Sequence, residues 1–277
     1  MPGNSCKDAK KPKLPNETDS SIDFAEEFIQ LEREFVARLA PLVSGEKLKL
    51  KKNEYVEYVY NPLEYAAELH NQYLRKYCDS TKKLLFLGMN PGPWGMCQTG
   101  VPFGEVNAVK EYLGITGEVE EPKKSHPKRK VEGLNCKRSE ISGKRLWGLI
   151  ADLSKNNPSV FFKDCFVYNY CPLAFMSSTA KNITPAELKA GDQLTLSNTC
   201  DEFLLRVLKL LDTKIVIALG KYAEKRTLEV LEKHQVKDIK VYYVQHPSPL
   251  NRNSTNWLED TAKCLKEYGL IHYLQSN

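Results

Sequence analysis

With 277 residues, 42% of them hydrophobic, the chain is long enough for one large α/β domain or two small ones around a substantial core, and a formal charge of +5 with a pI near 8.6 is too mild to demand or exclude a polyanionic partner. Eight scattered cysteines without a C-x-x-C pair exclude zinc-ribbon and dithiol-redox spacings and point to free thiols in a reducing, intracellular compartment. No apolar run approaches membrane-spanning length, and Met1 to Asp23 lacks the apolar core of a secretory signal.

Residues 1–22 are polar, proline-containing and lysine-studded, the composition of a disordered tail. Lys10-Lys11-Pro12-Lys13 within it reads either as solvated charge or as a nuclear-import signal. The remainder, 23–277, reads as a single domain. Phe24, Phe28, Leu31, Phe35 and Leu39 recur at helical spacing, predicting an amphipathic helix that starts near Ser21 or Asp23. Asn61-Pro62 predicts the cap and first turn of a second helix running toward Tyr77.

Lys83 to Leu87 is the first predicted strand, and it delivers the most heavily punctuated stretch of the chain, GMNPGPWGMCQTGVPFGE from Gly88 to Glu105. Proline and glycine in such density enforce a loop of fixed geometry. A short helix is expected around Val106 to Leu113. Residues 117–140 then lack apolar periodicity and carry seven of the chain's cations, predicting a long surface insertion that is either merely solvated or aimed at phosphates. Ser142 is placed to cap the next helix. Asp164 to Tyr170 is the second strand, Thr213 to Leu219 the third and Ile239 to Val244 the fourth. Helices are expected from about Cys200 to Leu211, from Tyr222 to His234 and from Trp257 to Leu274.

Strands alternating with helices imply βαβ units, right-handed crossovers and a three-layer α/β/α sandwich around a mostly parallel four-stranded sheet. In such a sheet the strand ends share one edge, where ligands bind. Asn90, Asn169 and His246 follow three of those ends and should converge. The chain has no GxxxxGK[ST], GxGxxG, HExxH or G-x-S-x-G motif, and no H-x-E…P-C-x-x-C pattern of zinc deaminases. What remains is two amides, a histidine and an aromatic, Phe103. These groups suit reading a planar heterocycle and stabilising developing charge rather than covalent catalysis. Each has an ordinary alternative: turn chemistry for Asn90, a strand-end cap for Asn169, a satisfied buried histidine for His246 and local core for Phe103.

Taken together, Gly88 to Glu105, Val167-Tyr168-Asn169-Tyr170-Cys171-Pro172 and His246-Pro247-Ser248-Pro249 resemble the single-strand-selective monofunctional uracil-DNA glycosylases, with GMNPGP and HPSP similar to motifs of the wider uracil-DNA glycosylase superfamily. The similarity extends from about Phe24 to Leu274 and includes the basic insertion. It implies hydrolysis of the N-glycosidic bond of uracil, and of 5-hydroxymethyluracil, in single- and double-stranded DNA, starting base excision repair in the nucleus. It further implies that the enzyme is a monomer with no cofactor or metal. By the same resemblance Asn90 orients the attacking water and His246 hydrogen-bonds the 2-carbonyl. Phe103 stacks on the base, Asn169 binds its 3-NH and 4-carbonyl, and Met89 and Gly92 lend backbone groups or walls. Pro247, Ser248 and Pro249 approach the DNA, followed by Leu250 as a wedge and Arg252 as a phosphate contact; the family commonly has an arginine after HPSP, where this chain has Leu250-Asn251-Arg252. The scattered cysteines do not fit the superfamily's iron–sulfur branch. Two other readings of the same residues are a catalytically silent nucleic-acid-binding module and an unrelated α/β enzyme acting on a free nucleoside.

Overall fold

A computed structural model describes residues 23–45, 47–249 and 256–275. The predicted tail at 1–22, the lysine cluster inside it, Leu250 and Arg252 lie outside the described residues.

Helix α1 (Phe24–Ser44) starts where Asp23 caps it, the carboxylate accepting the Ala25 N–H at 3.1 Å. Strand β1 (Tyr58–Tyr60) follows, and then two helices, α2 (Pro62–Tyr65) and α3 (Ala67–Tyr77), stand where one was expected. Asn61 makes no side-chain capping bond, so Pro62 alone sets the first turn of α2. Strand β2 (Leu84–Gly88) feeds the Gly/Pro loop, which contains helix α4 (Met96–Thr99). The short helix expected there is present over 106–112, its last five residues, Ala108–Tyr112, in the wider π form. After the insertion come α5 (Ile141–Leu153), α6 (Pro158–Phe162), β3 (Cys165–Asn169), β4 (Ala174–Met176) and β5 (Asn182–Ile183). The chain closes with α7 (Ala190–Leu210), β6 (Ile215–Leu219), α8 (Lys221–Lys233), β7 (Lys240–Val244) and α9 (Trp257–Glu267), and a final 3₁₀ turn at Ile271–Tyr273.

The central sheet has the order β3-β2-β6-β7 and is parallel throughout. On one face, Phe166 and Tyr168 of β3 pack against Phe28 of α1, Tyr73 of α3 and Phe203 of α7. On the other, Phe86 of β2 meets Phe161 of α6, which touches Trp147 of α5, and α5 packs on α9. This is the three-layer arrangement that the alternating pattern implied. Three features differ. A second, antiparallel sheet, β1-β4-β5, forms beside the first. Helix α7 begins ten residues before Cys200, a start that the apolar pattern does not show because its first turns bury few apolar side chains; Asp192 there is anchored by the Lys49 N–H at 2.7 Å. The cap of α5 is Glu140 rather than Ser142: its carboxylate accepts the Gly143 N–H at 2.8 Å, and Ser142 lies inside the first turn.

Candidate active site

Strand register decides which side chains share the carboxyl edge. Gly88 pairs with Asn169, Leu87 with Ala218, and Leu219 with Val244, so Asn169, Gly88, Gly220 and Gln245 all sit within a residue of one level. A methyl group on Gly88 would lie 2.3 Å from Asn169 Oδ1 and 2.5 Å from Phe103 Cε2. Gly88 therefore supplies room, and the space it leaves brings an amide and an aromatic ring together. Asn169 is 4% exposed; its Nδ2 donates only to the weak acceptor Met96 Sδ, at 3.3 Å, and its Oδ1 is buried with no partner among the described residues. Buried polar atoms are nearly always satisfied, so an amide left open in this way is one that a ligand can complete. Gly88→Ala should lower turnover by about 10²-fold or more through misplacement of both groups. Single-turnover kinetics checks this, with circular dichroism confirming the fold.

Phe103 reaches that position through a backbone strained into the left-handed region, φ 54°. The strain is held from helix α5, whose Trp147 Nε1 donates to the Phe103 carbonyl at 3.1 Å. Gly143 approaches the same carbonyl so closely that a methyl group there would lie 2.0 Å from it.

His246 follows β7, its ring centroid 6.0 Å from that of Phe103. The Ser248 N–H donates to its Nδ1 at 3.1 Å, so the neutral ring carries its proton on Nε2. Burial pulls the imidazole down to about 4 from the ordinary 6.5. At neutral pH the group is an uncharged N–H donor. Its loop is tied on both sides, with Arg145 donating to the Pro247 carbonyl at 3.0 Å and Trp257 Nε1 to the Gln245 carbonyl at 2.6 Å.

Asn90 Nδ2 donates to the Leu173 carbonyl at 3.3 Å, which assigns the amide orientation and leaves Oδ1 as the outward acceptor. The loop before it continues the β2–β3 ladder, Met89 accepting from the Cys171 N–H at 2.9 Å. Gly92 and Gly95 sit over the inward-turned carboxyl of Glu140, 3.1 and 2.9 Å from where their methyl groups would be. Burial raises that carboxyl to about 7, against the Gly143 and Ser142 hydrogen bonds that lower it.

Behind Asn169, buried charge fixes β3. Tyr168 donates to Glu32, and His70 bonds the Glu32 carboxylate at 2.9 Å and the Gly100 carbonyl at 2.7 Å. Two acceptors require two N–H donors, so His70 is an imidazolium. Burial alone would lower it, but the Glu32 charge and the hydrogen bonds raise it above 6.5. The pair's contribution to stability is therefore fully present below pH 6.5 and is lost as pH rises through the folded value. Glu32→Ala leaves that cation uncompensated and should cost about 3–5 kcal/mol in urea unfolding.

The structure thus gathers Asn169, Phe103 and His246 with Asn90, Met89 and Gly92 around one strand edge. Pro247 is buried, Ser248 half-buried and Pro249 exposed. Sequence reasoning missed Gly88, Met96, Trp147 and Glu140 as parts of the site. Only Gly88 had a visible signal, read there as one of the glycines that fix the loop's geometry. Two open clefts of about 550 and 570 Å³ lie at the opposite end of the sheet, near Asp79 and Lys163 and near Lys83 and Asp164. They hold none of these groups.

Comparison with known proteins places the whole chain. The family model described as the uracil DNA glycosylase superfamily matches residues 75–268. A Bos taurus single-strand selective monofunctional uracil DNA glycosylase is 45% identical over 235 residues, covering 84% of this chain and 86% of the relative. The Mus musculus protein of the same name is 44% identical over 233 residues, covering 84% and 83%. A crystal structure of wild-type Pedobacter heparinus SMUG2 superposes with a TM-score of 0.63 at 18% identity, covering 90% of this chain and 99% of that one, which shows a shared fold. The chain belongs to the uracil DNA glycosylase superfamily and, within it, to the single-strand selective monofunctional enzymes.

Proposed function

We propose that this enzyme hydrolyses the N-glycosidic bond of uracil and of 5-hydroxymethyluracil in single- and double-stranded DNA, acting as a monomer and leaving an abasic site. The observation that carries this reading is the open amide of Asn169 beside the Phe103 ring. Oδ1 accepts the 3-NH of uracil, and Nδ2 leaves its weak sulfur contact to donate to the 4-carbonyl. Cytosine offers an acceptor and a donor at those positions and is rejected, since an unmatched buried pair is costly. In 5-hydroxymethyluracil the extra group is on C5, off the edge that Asn169 reads.

A stacked base cannot reach a site this enclosed, so the nucleotide must turn out of the strand. Phe103 then stacks on the base. As the C1′–N1 bond breaks, its electron pair passes to the base, and charge grows on the 2-carbonyl. The His246 Nε2–H donates to that oxygen; a neutral donor is suited to a group that must hold an anion without protonating it. Asn90 Oδ1 accepts a hydrogen bond from water and aims its lone pair at C1′. The water oxygen bonds C1′ and loses a proton to solvent, while the departing base gains one. An amide is too weak a base to drive this attack, which fits a bond that is largely broken before water arrives. The stretch from Gly88 to Glu105 contains no lysine to form a Schiff base, in keeping with hydrolysis alone. The loop from Pro247 to Pro249 approaches the DNA through its half-buried Ser248 and exposed Pro249, with the wedge and phosphate-contact roles assigned by family resemblance to Leu250 and Arg252. A genomic substrate implies work in the nucleus, which imaging of the tagged chain checks.

The test is incubation of an end-labelled, uracil-containing oligonucleotide in EDTA. Release of free uracil with alkali-labile strands is expected. Binding without release, or cleavage of free deoxyuridine alone, overturns the reading.

A further inference from the structure

The basic insertion has no part in the pocket chemistry, yet it is built as carefully as the pocket. It is anchored along its length: the Glu120 N–H to the Tyr65 carbonyl at 2.9 Å, the His126 N–H to the Tyr60 hydroxyl at 2.6 Å, and that hydroxyl to the Arg129 carbonyl at 3.0 Å. Its inner side is gripped by Gln98, fully buried on α4, whose amide donates to the Pro93 and Lys130 carbonyls at 3.0 Å and accepts the Glu132 N–H at 2.8 Å. Two residues earlier, α4 places Met96 against Asn169. One helical turn therefore holds the base-reading amide on one side and the insertion on the other.

Ordering a loop of this length costs backbone entropy at every residue, which a merely solvated segment would not repay. What the ordering achieves is a fixed field. Residues 123–138 carry seven cations and one glutamate. Lys128, Lys130, Lys137 and Arg138 are exposed, and among the described residues none of them is in an ion pair. Between two of the insertion's arginines lies Trp94 of the Gly/Pro loop, with the guanidinium carbons of Arg129 and Arg138 at 4.7 and 5.1 Å from its ring. The two arginines differ. Arg129 spends its Nε and Nη2 on the Ala180 carbonyl, at 3.2 and 3.0 Å, and is a tether. Arg138, stacked on the indole, keeps its donors for something else.

We propose that Trp94, Arg138, Lys128, Lys130 and Lys137 form a preformed track for the single strand flanking the target nucleotide, the cations on its phosphates and the Trp94–Arg138 pair against a neighbouring base or sugar. This deepens the glycosylase reading and rests on it. Rows of fixed cations interleaved with an aromatic bind single strands without sequence preference, because every nucleotide has a phosphate and a π-face.

The test compares the triple variant Lys128→Ala, Lys137→Ala, Arg138→Ala with a control that removes equal charge elsewhere, Lys163→Ala, Lys209→Ala, Lys233→Ala. For a uracil-containing 20-mer single strand, the slope of log Kd against log salt should flatten by about 1.4 in the first variant, at roughly 0.7 for each of the two phosphate-contacting lysines, and not in the control. The advantage in kcat/KM of the 20-mer over a uracil-containing trinucleotide should shrink roughly tenfold in the first variant only. As an independent readout, Trp147 and Trp257 are buried while Trp94 is partly exposed, so a uracil-free single strand should quench fluorescence that Trp94→Phe abolishes. Equal slopes in the two variants, or quenching that survives Trp94→Phe, overturn the track. If the wild-type enzyme released no uracil, the glycosylase reading would fail instead, whatever the slopes.

Discussion

His246→Leu should release uracil about 10²–10³-fold more slowly than the wild-type enzyme under single-turnover conditions, the loss expected when one preorganised donor to a developing oxyanion is removed. The affinity for a uracil-containing strand, read by fluorescence anisotropy, should change little, because the donor works hardest when the bond is breaking. The state of the ring carries a second expectation. Nδ1 is occupied by the Ser248 N–H and burial holds the imidazole down to about 4, so the neutral Nε2–H form should persist through the physiological range. Titration followed by NMR of the ring nitrogens should show no His246 transition at 6.5. The linkage sign follows: between 6.5 and about 4 the unfolded chain binds a proton at this site and the folded one does not, so His246 makes the fold less stable as pH falls through that window. A midpoint near 6.5 would mean that burial does not hold the ring neutral below that pH, and would contradict the depressed value.

Asn90→Ala should be as damaging by a different route. The Asn90 amide is oriented by the Leu173 carbonyl, so its loss removes both the acceptor for water and the order of that acceptor. Misplacing a reactant by an ångström costs about 10²-fold, and here the reactant is no longer held at all. Asn90→Asp gives the informative comparison. A carboxylate keeps the acceptor but cannot donate to Leu173, so it should recover part of the rate if water positioning is what Asn90 supplies. Recovery no better than alanine would show that the amide's contact with Leu173 matters for another reason.

Much of this site could be read before any coordinates. Buried parallel strands appear as short apolar runs, and Leu84–Leu87 and Ile215–Leu219 are bounded by glycine in the way such strands are. Their carboxyl ends then named Asn90, Asn169 and His246 almost by position. The antiparallel strands β1, β4 and β5 were not legible, because runs of two or three residues are too short to show alternation. The choice of Glu140 over Ser142 as a cap depends on the carboxyl reaching beneath Gly92 and Gly95, a contact 45 to 48 residues away in sequence that no local pattern records. Gly88 reads as one of the glycines that fix the loop's geometry, and only the positions of Asn169 and Phe103 reveal that it is there for room. The insertion lacks apolar periodicity because hydrogen bonds from Gln98 and Tyr60 hold it together with scattered apolar contacts, Val119, Val131 and Leu134, rather than one regular buried face.

The central claim is that Asn169 reads the 3-NH and 4-carbonyl edge of a flipped base. Single-turnover release from three matched strands tests it most directly, with uracil, 3-methyluracil or cytosine at the target position. The account predicts release of uracil and no measurable release of the other two, since a 3-methyl group removes the proton that Oδ1 accepts and cytosine inverts the pattern. Release of 3-methyluracil at a rate comparable to uracil would contradict it.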